Sequence, residues 1–270
     1  MKWNNRFSSE SAPTEEYARR RPLILVNGLA EQPESWYRNV VAWRAHFDVH
    51  TPALLAYEGS ALQRRIAARQ PVDVDYLVEQ LHLYIDSFVQ SSPCFLLANS
   101  MGGKIAVEFS IRYPELIERL ALLSPSGLER KNRLPLVDGV RRSDVRSLAE
   151  SVFFDSSHVD PSQLAYFQRQ FRNKRWRSGL LWTIRGTRDH NVRQRLSLIT
   201  QPTLVVVGEE DRIVDPRESL EATRQLADGQ VVRLAGCGHA PQIEKSEVVN
   251  QLVIDFFTEP AALSTCPARG

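Results

Sequence analysis

The chain has no apolar run near the ~18 residues that a membrane-spanning helix needs. Its opening residues, MKWNNRFSSESAPTEEYARRR, carry no apolar stretch of the kind a secretory leader shows. A soluble, cytoplasmic protein with no integral membrane segment is therefore expected. Charge imbalance is lacking too: 34 Lys and Arg against 32 Asp and Glu leave a formal net charge of +2. Bulk charge gives no footprint for nucleic acid, and no nucleic-acid partner is expected. Cysteine is scarce, with Cys94, Cys237 and Cys266 far apart and without metal-ligand spacing. Their odd number argues against a disulfide framework, and no metal site is expected. Cys94, inside an apolar run, reads as a small buried filler. No internal repeat is present.

What is there is enough apolar residue, 43% of 270, for one large core or a core plus a sizeable insertion. From Pro22 the chain alternates strand and helix signals. Pro22-Leu23-Ile24-Leu25-Val26 is a continuous apolar run closed by Asn27-Gly28, the pattern of a central parallel strand. A helix over 34–46 and a short strand over 47–51 follow. Val74, Leu77, Val78, Leu81, Ile85 and Phe88 form the stripe of a core-facing helix. A strand over 94–99, a helix to about Arg112 stopped by Pro114, and a strand over 120–123 come next. Between about 127 and 198 there are helical patterns and no strong strand. The rhythm then resumes with a strand over 202–207, a helix over 218–226, a strand over 230–234 and a last helix over 248–257. Strands alternating with helices predict an α/β fold with a mostly parallel, doubly wound sheet.

In open α/β sheets, functional residues gather beyond the carboxyl ends of the strands. Strand 94–99 ends in Ala98-Asn99-Ser100-Met101-Gly102, a G-x-S-x-G turn with alanine in the first position. Such a turn sends a strand sharply into a helix with the serine hydroxyl at the apex. Strand 202–207 is followed by Gly208-Glu209-Glu210-Asp211, and strand 230–234 by Ala235-Gly236-Cys237-Gly238-His239. A serine hydroxyl needs an adjacent base to take its proton, and imidazole suits that task near neutral pH. A carboxylate must then hold the imidazole tautomer and stabilise the imidazolium. Ser100, His239 and Asp211 are the candidates. Asp211 competes with Glu209, Glu210 and Asp215, but its distance from the strand end lets it bend back. The other five histidines lie in helical or insertion contexts. By position, the backbone N–H groups of Leu29 and Met101 would form the oxyanion hole, where loss of one donor typically costs about 3–4 kcal/mol. Trp36 reads as a packing residue.

With these loops in hand, the chain resembles the α/β-hydrolase fold family from Pro22 to Phe257. PTLVVVGEEDRIVDP and LAGCGHAPQIEKSEVVNQLVIDFF are close to that family's C-terminal signatures, and the order Ser, Asp, His is its order. The resemblance implies an eight-stranded sheet, a helical lid inserted after the sixth strand, and no metal or organic cofactor. The implied organisation is an N-terminal arm (1–20), a core (21–126 and 199–258), a lid (127–198) and a flexible tail (259–270). The N-terminus is short for the family's first hairpin, so one early strand is expected to be missing or irregular.

Within the family, NSMGGKIAVEFSIRYPELIERLALLSPSGL resembles the meta-cleavage-product hydrolases, which cleave carbon–carbon bonds of dienoate ring-fission products. That likeness implies substrate contacts from Asn99 and from a lid arginine, here Arg169, to an acidic substrate. Two departures stand beside it. Asn27 replaces the usual histidine of the first loop, keeping a hydrogen-bonding side chain there without titration, and is a further expected substrate contact. Ala240 stands where a tryptophan follows the catalytic histidine. Ser100 excludes the dehalogenase and epoxide-hydrolase chemistries of this fold, which need a carboxylate nucleophile.

Residues 130–195 hold 15 Lys and Arg against six Asp and Glu. A solvated helical surface accounts for that. The functional alternatives are steering of an anionic small-molecule substrate, or docking on an acidic partner or membrane with Trp176 and Trp182 at the interface. The expected activity is hydrolysis of a small or medium ester-like substrate through an acyl-enzyme on Ser100. The alternatives are carbon–carbon hydrolysis, a receptor-like protein with little turnover, and acyl transfer to an acceptor other than water.

Overall fold

The computed structural model describes residues 20–89, 93–130 and 145–259. Six strands form one sheet in the order β2-β1-β3-β4-β5-β6: β1 Pro22–Val26, β2 Asp48–His50, β3 Cys94–Asn99, β4 Ile117–Leu123, β5 Thr203–Gly208 and β6 Gly229–Leu234. Every neighbouring pair is parallel. The continuous apolar runs make these central strands because both faces are covered. Ile24, Val26, Leu96, Ala98, Val205 and Val207 pack into the core on one face, against α3 (Val74–Phe88) and α4 (Met101–Arg112). Their alternates Leu23, Leu25, Phe95, Leu97, Leu204 and Val206 pack on the other with Trp43, Phe47 and Phe257. Trp36 is fully buried in that second layer.

Among the described residues the sheet has six strands, and the insertion follows the fourth of them; the segment that would carry any earlier strand lies outside those residues. The expected arm and early strand (1–20) and the tail (259–270) fall almost wholly outside the described residues. The continuous helix over 34–46 is instead a 3-10 turn, Pro33–Trp36, and a short α1, Val40–Arg44. Between them, the Asn39 side chain donates to Gln242 O and Asn250 Oδ1 at 3.0 and 2.8 Å. Tertiary partners on the far C-terminal segment thus claim the residue where the helix would have continued.

The insertion contributes α5 (Val145–Val152), α6 (Pro161–Arg172) and α7 (Lys174–Thr187), with no strand among its described residues. Helix α7 lies hard against the sheet domain. A Cβ on Gly179 would come 2.4 Å from Tyr57 O, and one on Gly186 would come 2.2 Å from Val72 O. Seven residues apart, the two glycines share a helix face, so they let backbone meet backbone. Trp176, on the same helix, is 2% exposed and packs edge-on against Tyr57 at 5.2 Å. It is therefore a packing residue and is not available to a membrane or partner.

Gly186→Ala is a sharp test of this seat. Alanine would favour an isolated helix by about 1 kcal/mol, whereas overpacking against an immovable carbonyl costs about 1–3 kcal/mol. The expected outcome is a net loss of stability, read as a lower thermal midpoint. An unchanged or raised midpoint would mean that α7 is not seated this tightly.

Candidate active site

Ser100 occupies the turn between β3 and α4 with φ 51° and ψ −121°. That conformation is rare for a residue with a side chain and costs on the order of 1–3 kcal/mol. It is held from three sides. Ser100 N–H donates to Leu123 O at 3.0 Å, and Ser100 O accepts from Gly103 N at 2.9 Å and Ser126 N at 3.0 Å. The helix can leave the turn at this angle only because residue 102 is glycine. A Cβ there would lie 2.6 and 2.7 Å from the carbonyl oxygens of Val26 and Asn27.

His239 follows β6 in a loop whose backbone is fastened twice to the insertion side. Its N–H donates to Val152 O at 2.7 Å. The carboxylate of Glu244 accepts from Gly238 N at 2.7 Å and from Phe154 N at 2.8 Å, tying the loop to the end of α5. The imidazole Nε2 lies 2.7 Å from Ser100 Oγ, and Nδ1 lies 2.7 Å from Asp211 Oδ2. The other Asp211 oxygen, Oδ1, accepts from Ile213 N at 2.8 Å and Val214 N at 3.0 Å. All three side chains are buried. Burial alone would depress the imidazole pKa. The Asp211 charge and hydrogen bond, with the charges of Glu31 and Glu129 behind them, outweigh it and hold His239 above its usual value.

The structure also brings the Leu29 loop to this point. Gly28 N–H is taken by Glu31 Oε2 at 2.9 Å and Ala30 N–H by the Tyr57 hydroxyl at 2.9 Å. Among the described residues neither Leu29 N–H nor Met101 N–H has a hydrogen-bond partner. Ser100, His239 and Leu29 line a cavity of about 180 Å³. Its walls come largely from the insertion: Val145, Leu148, Phe153, Leu164, Phe167 and Leu180 among others. Among the described residues no lysine or arginine lines it; the ionisable groups of that lining are Glu31, His158, Asp160, Tyr37 and His239. A larger groove of about 830 Å³ runs past Asp211 between Glu129, Arg130, Arg212 and Arg233, but neither Ser100 nor His239 lines it.

Three expected substrate contacts are not brought to the cavity wall. Asn27 holds its own loop by donating to Gln32 O at 2.8 Å. Asn99 is fully buried and donates to Leu123 O at 3.1 Å and Gln242 Oε1 at 3.4 Å, beneath the serine turn. Arg169 is exposed on α6 and is absent from the lining. Four residues that do shape the site escaped sequence reasoning: Glu31, Phe153, His158 and Glu244. The only signal for Glu31 was its place two residues beyond Leu29. No cluster of His, Cys, Asp and Glu suited to a metal ion occurs among the described residues, and none of their helices is long and apolar enough to cross a membrane.

The chain is similar to several proteins of known activity. It is 27% identical over 178 residues to 2-hydroxy-6-oxo-6-phenylhexa-2,4-dienoate hydrolase of Comamonas testosteroni, a match covering 61% of this chain and 62% of that one. The chain thus spans less than two thirds of that relative. It is 26% identical to 2-hydroxymuconate semialdehyde hydrolase of a Pseudomonas species, over 89% of this chain and 88% of the relative. Lipase 1 of Psychrobacter immobilis is 24% identical over 83% of this chain and 72% of its own length. Among solved structures, the meta-cleavage product hydrolase of Pseudomonas fluorescens superposes with a TM-score of 0.76 at 19% identity, over 89% of this chain and 92% of that one. The sequence profile of the alpha/beta hydrolase fold matches residues 21–246. This chain belongs to the α/β-hydrolase family, whose relatives here are hydrolases.

Proposed function

We propose that this chain is a serine hydrolase of small or medium esters with uncharged, apolar substituents. The observation that carries the reading is the relay Asp211–His239–Ser100, with 2.7 Å at each step, standing at one wall of an apolar cavity that no lysine or arginine among the described residues lines. In this reading Ser100 Oγ attacks the ester carbonyl carbon while His239 Nε2 takes its proton. The oxyanion that forms is met by the Leu29 and Met101 N–H groups, which act strongly in a site closed to water. The carbon–oxygen bond to the alcohol breaks, and the alcohol leaves with the proton from His239. Water then repeats the attack on the acyl-enzyme, with His239 as base, and frees the acid and Ser100. Residues 21–126 and 199–258 serve as the catalytic core and 127–198 as the lid.

A second reading, hydrolysis of a carbon–carbon bond in a dienoate, is favoured by the similarity to the Comamonas and Pseudomonas hydrolases. The cavity weighs against it, because burying a carboxylate without a cation is costly and the expected arginine lies elsewhere. Purified protein offered methyl and aryl esters of graded acyl length, beside a dienoate ring-fission product, decides between them. Ester turnover with the dienoate left intact is the expected result. Cleavage of the dienoate with the esters untouched would overturn the reading.

A further inference from the structure

The loop after β1 places a carboxyl group beside the reacting serine, a position the relay does not use. Glu31 Oε2 accepts from Gly28 N–H at 2.9 Å, so the side chain curls back over its own loop. A Cβ on Gly28 would meet Ser100 Cβ at 3.0 Å and the Glu31 carboxyl carbon at 3.3 Å. Serine and carboxyl group therefore flank the same glycine, immediately before the Leu29 N–H. Glu31 also faces the cavity. Burial outweighs Gly28 N–H, the His239 charge and the Asn27 side chain and holds its carboxyl pKa above the usual value, so it ionises at higher pH than a free glutamate. Of the cavity's other ionisable groups, His239 is engaged with Asp211 at 2.7 Å. Asp160 caps α6, accepting from Ser162 N and Gln163 N at 2.7 and 3.1 Å. Tyr37 and His158 complete the ionisable groups of the wall among the described residues.

We propose that Glu31 is a specificity-determining residue that bars acyl chains bearing a carboxylate near the scissile carbonyl. The proposal rests on the ester-hydrolase reading and deepens it. A carboxylate carried into this cavity loses its water, finds no lysine or arginine among the described lining residues, and meets a second carboxyl group beside the oxyanion position. Once Glu31 is ionised, like charges about 6 Å apart at an effective dielectric near 20 repel by roughly a hundredfold in an equilibrium or rate ratio. Of the described cationic side chains of the insertion, Arg169 and Arg172 among them, none lines the cavity.

The test compares methyl pentanoate with monomethyl glutarate, which have the same chain length and differ by a carboxylate in place of the terminal methyl. Methanol release is followed at a pH where the glutarate is ionised and above which the ratio no longer rises, so that Glu31 is ionised too. For the unaltered protein, kcat/KM is expected to favour methyl pentanoate by about a hundredfold or more. Glu31→Gln keeps an oxygen acceptor for Gly28 N–H and removes the charge, and should shrink that ratio by about tenfold or more. Glu31→Ala, which also removes the acceptor, should shrink it similarly. Each variant's own rate on methyl pentanoate is its reference, so a general loss from loop disturbance cancels. Variants that keep the original ratio would overturn the role of Glu31 and leave the neutral-ester reading standing. An unaltered protein that hydrolyses both esters equally would overturn both.

Discussion

Ser100→Ala is expected to abolish labelling by a fluorophosphonate and to lower ester kcat by at least about 10⁴-fold, leaving only what binding and the oxyanion donors supply. The size follows from the relay's construction. Removing one oxygen leaves His239 Nε2 facing a methyl group at the position where Ser100 Oγ now stands 2.7 Å away. Among the described residues the other hydroxyls of the lining are Ser35 and Tyr37, in and just after the turn Pro33–Trp36, and neither is within hydrogen-bond distance of the His239 ring; Ser124, fully buried, is not part of the wall. Stability should change little. Alanine retains the Cβ that makes φ 51° unfavourable, and the hydrogen bonds to Leu123, Gly103 and Ser126 are all backbone. Full labelling of the variant, with ester turnover retained, would remove Ser100 from its assigned role. Loss of turnover with undiminished binding of a product acid is the result that separates a nucleophile from a binding contact.

How much of this is legible in the sequence depends on what kind of force places each residue. The central strands could be read because burial on both faces demands unbroken apolar runs, and Leu23–Val26, Phe95–Ala98 and Leu204–Val207 have them. The serine, carboxylate and histidine could be read because they sit where parallel strands end, a position set by topology. Side-chain direction inside loops and on the insertion could not. The basic character of 130–195 is a matter of composition, and composition is blind to which face of a helix meets the cavity. In α6, Leu164 and Phe167 turn to the cavity while Arg169 and Arg172 turn to solvent. Asn99 lies off the cavity wall for a related reason. The residue before the turn serine points down into the sheet, toward Leu123 O and Gln242, where a long-range contact of 143 residues decides its environment. Glu31 went unread because nothing local reveals that its side chain folds back onto Gly28.

Asp211→Asn should cost roughly 10⁴-fold in kcat, more than the loss of a single charge would suggest. The cause is the pair of backbone donors on Oδ1. Ile213 N and Val214 N, at 2.8 and 3.0 Å, demand an oxygen. An asparagine must therefore give them its carbonyl and turn its NH₂ toward His239 Nδ1. A donor at that place forces the imidazole to accept at Nδ1 and to carry its proton on Nε2. Nε2 is the atom that must be bare to take the proton from Ser100 Oγ, so the favoured tautomer becomes the unreactive one.

The pH profile supplies an independent reading of the same substitution. The base works only when neutral, so kcat/KM falls on the acid side as His239 becomes protonated. In the unaltered protein burial pulls the imidazole pKa down, but Asp211 outweighs it, so the acid limb should lie above the usual value near 6.5. Asparagine deletes the charge while burial persists, and the residual activity should lose its acid limb toward lower pH. Asp211→Ala leaves room for water and takes no side in the tautomer choice. It should shift the limb in the same direction while losing less kcat than the asparagine variant. An asparagine variant that keeps both its kcat and its acid limb would show that Asp211 neither orients nor charges the histidine. The carboxylate would then have to be sought among Glu209, Glu210 and Asp215. Of these Asp215 is committed to capping α8 (Pro216–Thr223), with Arg217 N and Glu218 N at 2.9 and 3.3 Å on its Oδ1.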